Sequence, residues 1–368
     1  MKTVLIISPE SWDAHTVSKH HYATTLAEVG YKVLFLNPPD HSLKEVLIDN
    51  TDYPRLSVVS APKVARGLRF FPSSIRAFLE RRWLKKLEIL SGTGIDIIWL
   101  FENSRFFDMR FADERIKVYH QVDLNQEFNT KVAALTADIC FAVNNVIKDK
   151  LENYSNKVFK ITHGVNEPKE LVHLGAEEQH RFDLPGIHAV YVGNIDIPYL
   201  DLTLLTRVVE QFPTVNFHFV GGYSEECEAW RLLKNVNNVN WWGKVNSNVI
   251  PSILEKSDIL LVCYDTKQWE YVASSHKFME YFSSGKVIVS TYTDEYKDKR
   301  HLLEMTEDSA DYISVFSNVV HDLKKYNSNG LRATRIDFAR SHTYRKQLEK
   351  IFKLIKKSGF VLDDCKRE

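Results

Sequence analysis

One pattern recurs along the chain: a short unbroken apolar run, a polar turn, and a stretch of helical length before the next run. Val4–Ile7 opens the series and Lys32–Leu36 follows. Further runs fall at Ile95–Phe101, Ile116–Tyr119, Asp138–Val143 and Lys157–Ile161. Unbroken rather than alternating hydrophobicity marks strands buried on both faces, and strands that alternate with helices wind into a parallel, doubly wound α/β sheet. Between the first two runs a helix is expected from about Thr16 to Val29, with Gly30 as its left-handed stop. A polar, proline-bearing stretch from Asn166 to Gly186 interrupts the series. A second series then begins at Ile187–Asn194 and continues at Val215–Val220, Val239–Trp242, Asp258–Cys263 and Lys286–Ser290. The 368 residues suffice for two domains of ordinary size. The expected architecture is α/β with two Rossmann-like domains, 1–165 and 187–342, a linker at 166–186, and a basic C-terminal helix within 343–368.

Composition narrows the class. A hydrophobic content of 44% supports full cores, and a formal net charge of zero argues against a nucleic-acid binder. Cys140, Cys227, Cys263 and Cys365 show no C-x-x-C spacing, which points to a reducing compartment and no structural zinc. The N-terminal run is too short for a signal peptide and the longest apolar runs are strand-sized, so a cytoplasmic protein is expected, at most peripheral on the inner face of the plasma membrane. The first βαβ unit lacks G-x-G-x-x-G, and the P-loop and G-x-S-x-G signatures are absent. No D-x-D stands at a strand end, so no metal ligands are expected.

Three strands of the second series end in glycine, at Gly193, Gly221-Gly222 and Gly243. Taken singly, each is more simply a tight turn; together they suggest a ligand approaching the carboxyl edge of a sheet. The stretch Ser274–Ser290 reads as a loop, a short serine-capped helix, a glycine stop at Gly285 and a buried strand. Free amides at such a helix start, here those of Ser275 and His276, attract anions, and Lys277 in the first turn adds a point charge. Glu280 follows three residues later on the same face. Spacing alone also allows a solvated Lys277–Glu280 ion pair. Facing a cleft, the lysine and amides suit a diphosphate and the carboxylate suits ribose hydroxyls.

Lys277-Phe278-Met279-Glu280-Tyr281, followed by Gly285-Lys286-Val287-Ile288-Val289, resembles the K-x-x-E-Y…G-K-P-V-V signature of GT-B glycosyltransferases, above all the family-4-like group of bacterial surface-polysaccharide synthesis. Val118-Tyr119 with Asp123 is similar to the strand and catalytic aspartate of the xanthan-type glucuronosyltransferases. Thr162-His163-Gly164-Val165-Asn166 resembles the P-N-G-V-D turn of family-4-like enzymes, with His163 at the asparagine position. The resemblance implies a GT-B fold with an interdomain cleft and a last helix that crosses back to the first domain. It also implies a nucleotide-sugar co-substrate, expected to be a UDP-sugar, with no further cofactor. The uracil would lie near Gly243, Lys244 and Val245, and the diphosphate at Lys277 with the Ser275 and His276 amides. The ribose would lie on Glu280, and Gly193, Asn194, Gly221 and Tyr264 would complete the donor site, with Trp269 and Tyr271 near the sugar.

Asp123 is the expected general base, taking the proton of an acceptor hydroxyl as it attacks C1. An aspartate there could instead cap a helix starting near Leu124, and His120 competes for the same role. Three departures from the family-4-like pattern favour inversion over retention. Ala273 stands where retaining enzymes carry a glutamate, Asn194 where they carry an arginine, and 195–201 lacks their lysine. Two other readings stay open: a UDP-sugar epimerase of the same fold, and a partner subunit that has lost donor binding.

The stretch from Lys63 to Lys86 interleaves basic residues with Phe70, Phe71, Ile75, Phe78 and Trp83, against a single acid, Glu80. Such a stretch suits an anionic inner-leaflet surface, although a basic helix packed on the first domain reads alike. With the basic run Arg345 to Lys357 it fits an enzyme whose acceptor is a lipid-linked glycan or an oligosaccharide.

Overall fold

The computed structural model describes residues 1–14, 16–124, 128–167, 170–268 and 276–362. The chain forms two compact units, one comprising Met1–Thr162 with the segment from Tyr344 onward, the other His163–Thr343.

The first unit is built on eight strands: β1 (Thr3–Ile7), β2 (Lys32–Leu36), β3 (Leu47–Asn50), β4 (Leu56–Ser60), β5 (Ile97–Leu100), β6 (Ile116–Gln121), β7 (Ile139–Ala142) and β8 (Val158–Lys160). Their order is β3-β4-β2-β1-β5-β6-β7-β8, parallel except for β3, which runs antiparallel to β4 at the edge. The unbroken apolar runs divide by period two. Val4 and Ile6 of β1, with Val33 and Phe35 of β2, enter the core on one face, while Leu5, Ile7, Leu34 and Leu36 enter the core on the other. The first helix spans Ser18–Glu28 and Gly30 follows in the left-handed region with φ +98°. On the same face the helix Tyr344–Lys357 inserts Tyr344, Leu348, Ile351, Phe352 and Ile355 into that core. Tyr344 meets Tyr22 edge-on at 5.2 Å and stacks on His21 at 4.7 Å.

The second unit holds β9 (Ile187–Val192), β10 (Val215–Val220), β11 (Val239–Gly243), β12 (Ile259–Val262), β13 (Val287–Ser290) and β14 (Glu304–Met305), all parallel, in the order β11-β10-β9-β12-β13-β14. The sheet grows from β9 in both directions, so the carboxyl ends of β9 and β12 flank its topological switch point.

The stretch 166–186, read in sequence as linker, falls within this unit and carries a helix at Ala176–Phe182. The Gly175 amide donates to the Glu178 carboxylate at 2.5 Å, and Phe182 stacks on His218 at 4.6 Å. A capping carboxylate, the half-buried Phe182 ring and Arg181, which donates to the Trp241 carbonyl at 2.7 Å, hold a helix that is too short to show an apolar period.

Candidate functional site

The helix Lys277–Ser284 leads into β13, and Gly285, with φ +73°, closes it. Its residue before the first turn is His276, which makes no side-chain capping bond. The serine cap expected from sequence, Ser274 or Ser275, lies outside the described residues, as do Trp269, Tyr271, Ala273 and Cys365. The helix buries Phe278, Met279, Tyr281 and Phe282; the Tyr281 hydroxyl accepts from the Val192 amide at 2.8 Å, which fixes the helix against β9.

Lys277 turns inward at the switch point. Its Nζ lies 3.8 Å from the ring centre of Tyr191, at the end of β9, and 4.9 Å from that of Tyr264, just beyond β12. The ammonium is sealed from solvent and has no hydrogen-bond partner among the described residues. A Cβ placed on Gly193 would stand 3.0 Å from Nζ, so the glycine leaves the space the amine overlooks. Burial is the main influence on the amine and brings its pKa down from 10.5 to about 7; Cys263 and Glu280 pull weakly the other way. The Lys277–Glu280 ion pair that spacing allows is therefore absent. Glu280 stays at the half-exposed edge, its Oε1 3.8 Å from His276 Nδ1, and His276 meets His163 edge-on at 5.6 Å. A cation, a carboxylate and two imidazoles thus gather around the start of one helix.

The three strand-end glycines are stitched together. The Gly193 amide donates to the Val220 carbonyl at 2.8 Å and the Gly221 amide to the Gly243 carbonyl at 2.9 Å. Gly221, with φ +150°, approaches the Gly193 carbonyl so closely that a Cβ would lie 1.9 Å from its oxygen. The close approach expected of a ligand at Gly221 is thus made by backbone. Asn194 is exposed; its Oδ1 accepts from the Asp196 amide at 3.1 Å, and its carbonyl accepts from the Tyr191 hydroxyl at 3.1 Å. Lys244 is exposed, with its stem packed over Gly222, and Val245 leans on the core. Tyr264 is buried, edge-on to Tyr199 at 5.3 Å.

In the first unit Asp123 is exposed in the loop after β6, and its carbonyl accepts from Gln121 Nε2 at 3.0 Å. The nearest described helix downstream begins at Thr130, after Asn129, so a cap at Leu124 is not seen among the described residues. His120 is no rival base. It is buried among Tyr22, Trp99, Phe101 and Phe141, and burial lowers its pKa to about 3. The unit's own switch point, between β1 and β5, carries a feature that the sequence reading missed. Arg105 donates to the Glu102 carboxylate at 2.7 Å and to the Ser8 carbonyl at 2.8 Å, while Lys19 pairs with Glu10 at 2.6 Å. Loop positions alone announce neither pair; a charged Phe101-Glu102-Asn103-Ser104-Arg105 directly after a buried strand was the available signal.

Among the described residues no group of three or more His, Cys, Asp or Glu side chains is placed to hold a metal ion. No described helix is long and apolar enough to cross a membrane.

Residues 187–322 match the family model described as Glycosyl transferases group 1. Comparison with curated proteins by sequence gives no match. Solved structures share the whole fold at low identity. Sucrose-phosphate synthase from Thermosynechococcus elongatus superposes with a TM-score of 0.70 at 13% identity, covering 97% of this chain and 99% of its own. The Anabaena HepE protein in complex with UDP gives 0.69 at 14%, covering 97% and 100%. The E. coli trehalose-6-phosphate protein bound with UDP-2-fluoro glucose gives 0.68 at 10%, covering 98% and 100%. The fold is GT-B, and residues 187–322 are similar to the Glycosyl transferases group 1 model.

Proposed function

We propose that this glycosyltransferase moves a sugar from a UDP donor to a hydroxyl of a lipid-linked or oligosaccharide acceptor in surface-polysaccharide synthesis, with inversion, in the manner of the xanthan-type enzymes it resembles. One observation carries the donor half: the Lys277 amine, buried at the switch point without a hydrogen bond among the described residues and overlooking Gly193. Burying such a group is costly unless an anion completes it, and a diphosphate is the anion that this edge of an α/β sheet receives. Glu280 and His276 stand at the same helix start, placed to take ribose hydroxyls. HepE and the E. coli protein, solved with UDP and a UDP-sugar, support the choice of base.

Preorganised positive charge on the departing diphosphate supplies most of the rate, and Asp123, at the carboxyl edge of the other sheet, accepts the acceptor's proton. Transfer is followed as UDP release from a panel of UDP-sugars with lipid-linked and oligosaccharide acceptors, and the product anomer is read by NMR. Asp123→Asn is expected to lower kcat by about 10²–10⁴-fold while UDP affinity stays unchanged. Unaltered turnover in that variant would remove Asp123 from the reaction, and a retained anomeric configuration would remove the inverting mechanism.

A further inference from the structure

The helix Ser73–Ser91 has two faces of opposite character. Its inner face buries Arg76, Glu80, Leu84 and Leu87. On the outer face Ile75, Phe78, Arg82, Lys85, Lys86 and Ile89 recur at helical spacing, all exposed. Ile75 is 48% exposed, Phe78 57% and Ile89 80%, and Phe70, in the 3₁₀ turn Leu68–Phe70 just before the helix, is 77% exposed. The charged residues exposed on the turn and on this helix face are all basic. Lys63, Arg66 and Arg69 flank the turn, and Arg82, Lys85 and Lys86 share the helix face. Both acids between 63 and 90 point away: Glu80 is buried, and Glu88 binds Arg115 at 2.6 Å. Arg76, which the sequence placed with the surface bases, is buried against Asp108 at 3.0 Å.

We infer that this face, from the turn at Leu68–Phe70 along the outer stripe of Ser73–Ser91, docks on an anionic lipid bilayer, with Phe70, Ile75 and Phe78 entering the headgroup boundary and the bases meeting lipid phosphates. An exposed apolar patch whose own segment exposes bases, with the neighbouring Asp113 carboxylate held by Arg81 at 2.6 Å, is complementary to a surface that is itself apolar below and anionic above. The helix Tyr344–Lys357 is as basic, yet its apolar face is spent on the core of its own unit. It has charge with nothing to insert.

The test is flotation of the full chain with phosphatidylcholine vesicles made with and without phosphatidylglycerol. The protein is expected to float with the anionic vesicles alone. Arg82→Gln/Lys85→Gln/Lys86→Gln should weaken partition on the order of 100-fold, from about fivefold per base. Phe70→Ser/Phe78→Ser should abolish it at high salt, where charge attraction is screened. Lys353→Gln/Lys356→Gln/Lys357→Gln, on the other basic helix, should keep most of the binding. Thermal melts and UDP affinity, unchanged in all three, show that fold and donor site are intact. Three results would overturn the inference: equal flotation of all variants, equal binding to neutral vesicles, or concentration-dependent self-association that the serine variant abolishes, which would make the patch a contact between copies.

Discussion

Burying the Lys277 ammonium beside two tyrosine rings costs the ligand-free fold free energy that the pull of Glu280 does not offset. The sign follows from the lowered pKa. In the unfolded chain the amine holds its proton up to about pH 10.5, whereas in the folded chain it loses it above about 7. Below pH 7 both states are protonated and the full penalty applies; as pH rises from 7 to 10.5 the penalty fades and stability climbs. Lys277→Met is therefore expected to stabilise the ligand-free protein near pH 7, by up to roughly 4 kcal/mol, with the gain vanishing toward pH 10.5; denaturant titrations at several pH values check this. Donor binding runs the other way. A diphosphate favours the ammonium, so the Kd for UDP is expected to rise up to about tenfold per pH unit above 7, measured by calorimetry in buffers of different ionisation enthalpy. At Gly221 the constraint is backbone. Gly221→Ala drives a methyl into the Gly193 carbonyl and is expected to cost about 3 kcal/mol or more, read as a lowered Tm.

Among the elements, the helix Ser73–Ser91 shows how an inner face can be polar and still hold. Arg76 reaches Asp108, which also receives Arg110 at 2.6 Å, and the Arg76 guanidinium lies over the Phe107 ring at 4.5 Å. Glu80 is the discordant member: burial raises its pKa from 4.5 to about 8, although Arg76 opposes this. Between these values the folded state holds the proton that the unfolded state has lost, so stability falls as pH rises from 4.5 to 8. Glu80→Gln is expected to be nearly silent at pH 4 and stabilising by about 1–4 kcal/mol at pH 8 and above, again by denaturant titration. The helix Tyr344–Lys357 contributes by ordinary packing. Ile351, fully buried, is expected to cost about 2–5 kcal/mol when cut to alanine.

For the whole molecule, the two sheets were legible because parallel strands buried on both faces write unbroken apolar runs: β1, β2, β10 and β13 stand where those runs stand, within a residue or so. The edge strand β3 and its neighbour β4 were not legible. β3 is four residues long, mostly exposed, and mixes Asp49 and Asn50 with its apolar pair, so hydrophobicity carries little of its signal. In the site, sequence marked Lys277, Glu280 and the strand-end glycines, because spacing fixes which residues share a turn. It could not show that Lys277 turns inward to Tyr191 and Tyr264 while Glu280 stays outside, since that choice depends on partners from β9 and the end of β12, more than a dozen residues away. The crowding of Gly221 against Gly193 was hidden for the same reason.

Isothermal calorimetry of UDP binding to the intact chain, Lys277→Met and Glu280→Ala tests directly whether the buried amine is a diphosphate site. UDP is expected to bind the intact chain at pH 7, more than about 100-fold more weakly to Lys277→Met, and about tenfold more weakly to Glu280→Ala, where ribose contacts alone are lost. Equal affinity in Lys277→Met, or no UDP binding by the intact chain, would contradict the account and leave Lys277 as a buried amine without a ligand.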